Sequence, residues 1–443
     1  MFTTLINAFK LKETRTKILF TFLMLVVIRF GSQLPVPGTN PEIFASLFGT
    51  FLGEGSAALG LLNAFTGGSF LNFSVLALGI SPYITSSIIV QLLTIAIPKL
   101  EEMQNDGEDG RKKIASITRF VTVALAVLQA AAMAIGFGRQ GLLLEYNFIN
   151  VVTVVVALTA GSAFLMWIGE RITENGVGNG ISIILVINIL ATIPSDFVNL
   201  AYQFVIGKNP AKAILAAVII LAIIIGMIIF VVLLNSATRN IAVQYSQKVQ
   251  GRKSVGGQAS KIPMKVNTAG VIPVIFASSL MQFPIIICSF FGIQGEGFWG
   301  EVLKGLNQGY WCRINPVSDL KYSIGLLVYI ALLIAFAYFY TSVTFNPMMI
   351  ADNLKRQGGF IPGIRPGKPT TEYLEKVLNR IVFIGALGLM VVSVVPFICS
   401  GLFNATVSFA GTSLIIIVSV VLETISQIES QMRVRNYKGF LND

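Results

Sequence analysis

Residues 78–94 read Leu-Gly-Ile-Ser-Pro-Tyr-Ile-Thr-Ser-Ser-Ile-Ile-Val-Gln-Leu-Leu-Thr, without a single charge. A stretch this apolar belongs in hydrocarbon, where no water satisfies the backbone, so it must be helical or part of a closed barrel. Gly79, Pro82 and the run of hydroxyls suit a soluble helix poorly. A membrane helix tolerates them, because neighbouring helices and Ser/Thr side chains bond the freed backbone groups. Small residues also let helix backbones approach closely. The pattern returns once, at Ala269–Leu280, where Gly270, Pro273, Ile275 and Ser278 match Gly79, Pro82, Ile84 and Ser87 at a constant offset of 191 residues. Two broken helices at corresponding places point to an internal repeat with a functional site between its copies. The alternative is a chance likeness between two Ser-rich helices.

The rest of the chain has the same character. Of 443 residues, 54% are hydrophobic and 12% charged, about half the charged share of an average globular chain. Ten segments reach the apolar character a span needs: 18–34, 75–97, 114–137, 151–168, 181–193, 213–234, 269–291, 324–343, 381–398 and 407–422. The fold class expected is an all-α polytopic membrane protein. Its ten transmembrane helices form two pseudo-symmetric five-helix halves, 1–200 and 201–443. The fifth and tenth segments are short and close their halves, and an odd number of spans per repeat inverts the second copy. The first segment follows Lys10, Lys12, Arg15 and Lys17 as a signal peptide would. It has no small-residue cleavage pattern and is read as a retained span. With the N-terminus cytoplasmic, 25 of the 32 Lys and Arg fall inside and 7 outside. That split sets the topology by the positive-inside rule and accounts for the net charge of +11 without nucleic acid.

Composition also closes off chemistry. There is no His, the commonest transition-metal ligand and physiological general base. Cys288, Cys312 and Cys399 lie far apart with no CxxC spacing, so neither a zinc site nor a disulfide frame is indicated. Gly176-Val-Gly-Asn-Gly follows a span rather than a strand and lacks a P-loop lysine, so it reads as a tight turn and not a nucleotide site. Neither metal nor cofactor is expected. An ion-coupled transporter keeps a titratable residue within its spans, and so would a hydrolytic membrane enzyme. Here Arg29, Glu170 and Glu423 lie near span ends, and the residues at depth are Gln91, Gln129, Asn188, Gln282 and hydroxyls. A coupled small-molecule transporter is therefore disfavoured, and a pure docking protein would have no use for broken helices.

Three irregular stretches carry the functional reading. Loops 236–266 and 346–380 are long, basic and inside, and the second holds Gly358-Gly-Phe-Ile-Pro-Gly-Ile-Arg-Pro-Gly. They are either solvated loops or a docking face for a cytoplasmic partner. Ala57–Phe65, followed by Thr66-Gly67-Gly68, is too short to cross. It either lies on the outer surface or re-enters the bundle as a plug. Ile80 and Ile84 lie four apart on one helix face, and Ile275 is the repeat mate of Ile84. A ring of such side chains at the repeat interface would be a dewetting constriction that excludes ions without charge; the alternative is ordinary helix packing.

The chain resembles the SecY family, the central subunits of bacterial protein-conducting channels. The resemblance runs from about Arg15 to the tenth span. Its motifs are Arg29-Phe-Gly-Ser-x-x-Pro-Val-Pro-Gly, the stretch from Leu78, Trp167-Ile-Gly-Glu-Arg-Ile-Thr-Glu-Asn-Gly-Val-Gly-Asn-Gly-Ile-Ser, Ile262-Pro-Met-Lys-Val-Asn, the stretch from Ala269, and Phe360-Ile-Pro-Gly-Ile-Arg-Pro-Gly. It implies a clamshell in the cytoplasmic membrane, both termini cytoplasmic, that passes unfolded polypeptides and releases hydrophobic segments sideways. The implied pore ring is Ile80, Ile84, Ile181, Leu185, Ile275 and Ile416. The implied plug is residues 59–70, with Leu59, Leu61, Leu62, Phe65, Gly67 and Gly68. The implied lateral gate, between spans two and three and spans seven and eight, carries Thr85, Ser86, Ser87, Gln91, Ser278, Ser279 and Gln282. Arg252, Lys253 and Arg365 would meet the motor ATPase SecA or a ribosome. SecE and SecG, signal peptides, nascent chains and membrane lipids are the remaining implied partners. Leu185 stands where the family more usually has isoleucine, and the outer loop 292–320 with Trp299, Trp311 and Cys312 has no counterpart in the resemblance.

Overall fold

The computed structural model describes residues 11–44, 46, 63–204, 206, 210–245, 248–250, 253–255, 259–290, 298–312, 321–403 and 411–439. Helices dominate. In the N-terminal part they are α1 (Lys12–Gly31), α2 (Ser81–Ala96), α3 (Pro98–Asn105), α4 (Glu108–Phe137), α5 (Phe148–Asn175) and α6 (Gly180–Phe204). Then come α7 (Pro210–Ser236), α8 (Ile272–Phe290), α9 (Phe298–Leu306), α10 (Ile324–Thr344), α11 (Pro347–Arg356), α12 (Lys368–Phe403) and α13 (Gly411–Gly439). Each of the ten expected segments coincides with one helix. Among the described residues seven helices are long and apolar enough to cross a membrane unaided, and the bent pair α2–α3 makes an eighth.

The breaks have identifiable causes. Gly79 and Gly270 both take the left-handed conformation, φ +58° and +65°, which costs a non-glycine residue about 1–2 kcal/mol. Two residues later α2 and α8 begin, at Ser81 and Ile272, each with its proline second. Proline is tolerated there because a first-turn N–H has no intrahelical partner. The two repeat copies therefore start their helices at the same repeat position. The segment expected as one span over 75–97 is helical only from Ser81; residues 71–80 form turns packed on α5. A methyl at Gly161 of α5 would collide with the Val75 carbonyl oxygen, and the Ser162 hydroxyl donates to the Gly79 carbonyl at 3.3 Å. At the other end, Pro98 forces Ile97 into extended backbone, and the chain turns by 107° into α3.

Two further differences concern length. The fifth and tenth helices are not short: α6 has 25 residues and α13 has 29. Apolar content fades after Ala191, yet α6 continues through Pro194 and a buried Asp196 to Phe204. Helix α12 begins 13 residues before its apolar part because its polar first turns pack elsewhere. Leu374, Val377 and Leu378 join Ile241, Val243 and Leu354 in a separate small core.

That small core lies beneath a three-stranded antiparallel sheet. Strands β1 (Thr238–Tyr245) and β4 (Ala259–Lys265) form a hairpin that continues into β2 (Lys248–Gln250) and β3 (Lys253–Val255). Strand β5 (Gly359–Phe360) adds to the outer edge of β1, with Gln244 opposite Phe360 and Tyr245 opposite Gly359. The two long loops, 236–266 and 346–380, read separately from sequence, therefore each contribute strands to one sheet. Within residues 298–312, Trp311 is 1% exposed, donates Nε1–H to the Gly305 carbonyl at 2.8 Å and packs edge-on against Phe397.

Helix packing explains the glycines that tolerate no substitution. Gly161→Ala drives a methyl into backbone and should cost about 1–3 kcal/mol, the usual range for overpacking. It will lower the thermal midpoint of the detergent-solubilised protein. Gly226→Ala in α7, where a Cβ meets nothing within 4 Å, will leave that midpoint unchanged or raise it slightly.

Candidate functional site

Helices from both parts of the chain converge at one point. Ile84 and Ile275 are each the fourth residue of their helix, counted from Ser81 and Ile272. The matched glycine–proline breaks thus deliver both side chains to equivalent positions. They meet Leu185 on α6 and Ile416 on α13 in one apolar cluster with Val186, Ile189, Val420 and Phe65. Ile80 and Ile181 do not join it. They belong to an adjoining cluster with Ile28, Leu165, Ile168, Ile172 and Ile184, and Ile84 and Ile183 touch both. Four of the six expected ring residues come together directly and two stand one layer away. Val186, Ile189 and Val420 had not been picked out. Their three- and four-residue spacings on α6 and α13 carry the signal.

Phe65 reaches this cluster on a short segment bonded at two carbonyls. Residues 63–66 are helical, followed by Gly67 and Gly68 at φ +66° and +86°. Asn188 Nδ2–H of α6 donates to the Phe65 carbonyl at 3.0 Å. Arg29 Nη1–H of α1 donates to the Gly67 carbonyl at 3.0 Å. A Cβ on Gly67 would stand 2.8 Å from Arg29 Nη1 and 3.0 Å from Asn188 Cα, so conformation and crowding both demand glycine. Thr66 is buried against Gly79; its hydroxyl donates to the Asn63 carbonyl at 3.1 Å and accepts the Phe70 N–H at 3.3 Å. Leu59, Leu61 and Leu62 lie outside the described residues. Arg29 and Asn188 were visible in the sequence as polar residues in apolar spans; their target was not, because 38 and 123 residues separate donor from acceptor.

The expected gate residues divide into two kinds. Ser86 is fully buried and its hydroxyl pairs with Thr122 of α4, inside the N-terminal part. Ser278 is buried on α8, beside the Tyr329 hydroxyl of α10 and near Ser393 of α12. Gln282 is also buried. Thr85, Ser87, Gln91 and Ser279 are half-buried, and Thr85 donates to the Ser81 carbonyl of its own helix at 3.0 Å. Helix α8 leans on α4 across the boundary between the two parts, and α6 leans on α13.

Arg365 is exposed at a turn stapled on both sides. Thr370 Oγ1–H donates to its carbonyl at 2.8 Å, and Ile364 N–H to that of Ile361 at 3.0 Å. Gly363 and Gly367 hold φ +82° and +104°. Lys253 begins β3, its side chain undescribed, and Arg252 lies outside the described residues.

A protein-family model described as SecY matches residues 74–425. Curated relatives, each a protein translocase subunit SecY, include those of Halalkalibacterium halodurans at 43% identity and Bacillus subtilis at 42%, with 100% of both chains covered in each case. Among solved structures, one described as a protein conducting channel superposes with TM-score 0.61 at 19% identity, covering 94% of this chain and 92% of that one. Sec61 from a canine ribosome–channel complex gives 0.60 at 17% identity with the same coverage. At these identities the structures speak for the fold alone.

Asn188→Leu keeps the branching of the side chain and removes one bond to the short segment. Interhelical hydrogen bonds in membranes average about 0.6 kcal/mol and reach about 1.7. Backbone amide exchange over residues 63–68 should accelerate about 3- to 20-fold, the same range expressed as a ratio, read by deuterium uptake.

Proposed function

The chain belongs to the SecY family of protein translocase subunits, and we propose that it passes unfolded secretory polypeptides through the constriction between α2, α6, α8 and α13. It is a channel subunit and not an enzyme. The observation that carries this reading is the meeting of Ile84, Leu185, Ile275 and Ile416 with Phe65. A conduit for chains of every composition must offer no binding site for any one of them. Uncharged aliphatic side chains meet that demand, and they exclude ions by dewetting when no chain is present. Phe65, held through Arg29 and Asn188, closes the remaining space as a plug. The bonds that hold it are few and reversible, as a segment that must leave requires.

The gate is read as the seam between α2 and α4 on one side and α8 and α10 on the other. Ser86, paired with Thr122, is read as fastening the first side internally, while Thr85, Ser87, Gln91 and Ser279 face the seam. The direction and energy of transport come from a partner docked on the β4–β1–β5 sheet and the Arg365 turn, a SecA-type motor or a ribosome. Arg252 and Lys253 would add to that face. SecE and SecG complete the assembly in the cytoplasmic membrane, both termini cytoplasmic, and the halves 1–200 and 201–443 move against each other. Charge on the docking face favours a polyanionic partner such as ribosomal RNA by electrostatic steering.

Ile84→Gly or Ile275→Gly should raise the ion conductance of resting channels in proteoliposomes, and unchanged conductance would remove the seal. A stalled secretory chain should crosslink to a photoreactive residue at position 84; absence of that adduct would refute passage through this point. Arg365→Glu should abolish partner-driven transport while leaving resting conductance at the wild-type level.

A further inference from the structure

Helix α7 runs from Ala213 to Leu234 without a polar side chain and then places Asn235 in its last turn. An amide at that position is costly unless both its ends are bonded, and both are. Asn267 Nδ2–H donates to Asn235 Oδ1 at 2.8 Å, and Asn235 Nδ2–H donates to Ser419 Oγ of α13 at 2.8 Å. Asn267 is 6% exposed and stands between β4 and α8. The three residues thus join the root of each hairpin strand to α13. The backbone supports the same junction, with Val266 N–H donating to the Ala237 carbonyl at 2.9 Å. Two elements that leave this junction carry the constriction: Ser419 follows Ile416 by one turn of α13, and Asn267 lies five residues before the start of α8, which carries Ile275.

Apolar helices in lipid can slide past one another with little loss of packing, because a Leu–Leu contact is as good in one register as the next. Directional bonds cannot, and a polar network whose members are all satisfied specifies one geometry. We propose that Asn235, Asn267 and Ser419 form a positioning relay that sets the register of α13 against α7 and α8, and so holds Ile416 at the height of Ile84, Leu185 and Ile275. This rests on the reading of that cluster as the seal. The three residues touch no transported chain and act only through Ile416.

The test measures resting ion conductance of the full chain in proteoliposomes, with Ile416→Gly as the reference for a broken seal. Ser419→Ala and Asn235→Leu should each leak at least threefold more than wild type, and Ser419→Thr, which keeps the hydroxyl, should match wild type. The double variant should leak no more than Asn235→Leu alone, since one relay is broken once. Ser323→Ala removes a hydroxyl bond to the Cys312 N–H, far from this junction, and should not leak. If Ile416→Gly leaks while Ser419→Ala and Asn235→Leu stay tight, the relay is overturned and the seal stands. If Ile416→Gly itself stays tight, the seal fails and the relay with it. Equal leaks from Ser419→Ala and Ser419→Thr would also overturn the relay, because the hydroxyl would not be what matters. Should Asn235→Leu fail to fold, the two Ser419 variants decide.

Discussion

A bundle in lipid cannot rely on the hydrophobic effect to hold its helices together, because acyl chains are as apolar as leucine. Cohesion must come from close backbone approach and from hydrogen bonds. Both are concentrated here. Glycines sit where backbone meets backbone: Gly161 on Val75, Gly180 on Gly169, Gly325 on Gly305. Hydroxyls and amides supply the rest, as in the Ser86–Thr122 pair and the Asn267–Asn235–Ser419 chain. The boundary between the two parts of the molecule is made differently. There α6 meets α13 through a cluster of branched aliphatic side chains, which adhere without direction.

The same constraint explains the short segment that carries Phe65. Its carbonyls at Phe65 and Gly67 lie among helices, where an unbonded backbone group is costly. One amide and one guanidinium answer that need from two different helices. A segment tied only by its own helical bonds would have no reason to lodge there, and one tied by apolar burial alone would have no fixed orientation. The two bonds position Phe65 against the isoleucines while leaving few contacts to break.

Much of this was readable from residues alone, for a physical reason. The glycine–proline break is a local code: left-handed glycine, then proline in a first helical turn, then an aliphatic residue two positions on. Because each step is local, the repeat at an offset of 191 residues predicted two side chains at equivalent sites, and Ile84 and Ile275 both pack against the same apolar cluster. Hydropathy located a helix in each of the ten expected segments but not the helix ends. It counted Val75–Ile80 as span because turns packed against Gly161 are as apolar as helix. It stopped early at Pro194 and missed the polar turns of α12, whose burial lies in the small core. Non-local pairing was invisible. Nothing in Gly359-Phe360 announces that it will add to a strand more than a hundred residues earlier, and nothing near Asn188 names Phe65 as its partner. Ile80 and Ile181 show the same limit: helix spacing for the one and the family resemblance for the other marked them as inward-facing without saying which layer they would meet.

The joining of β5 to β1 carries a consequence for how this molecule can vary in length. Two loops that share a sheet cannot drift independently. One residue inserted between Ser236 and Tyr245 would turn that strand's faces over relative to both neighbours, since side chains alternate with a period of two. Gly359, pressed against the Tyr245 ring, allows no bulge to absorb the shift. Insertions and deletions should therefore be confined to the hairpin beyond Tyr245, leaving the platform beneath it constant in dimension across chains that share this architecture.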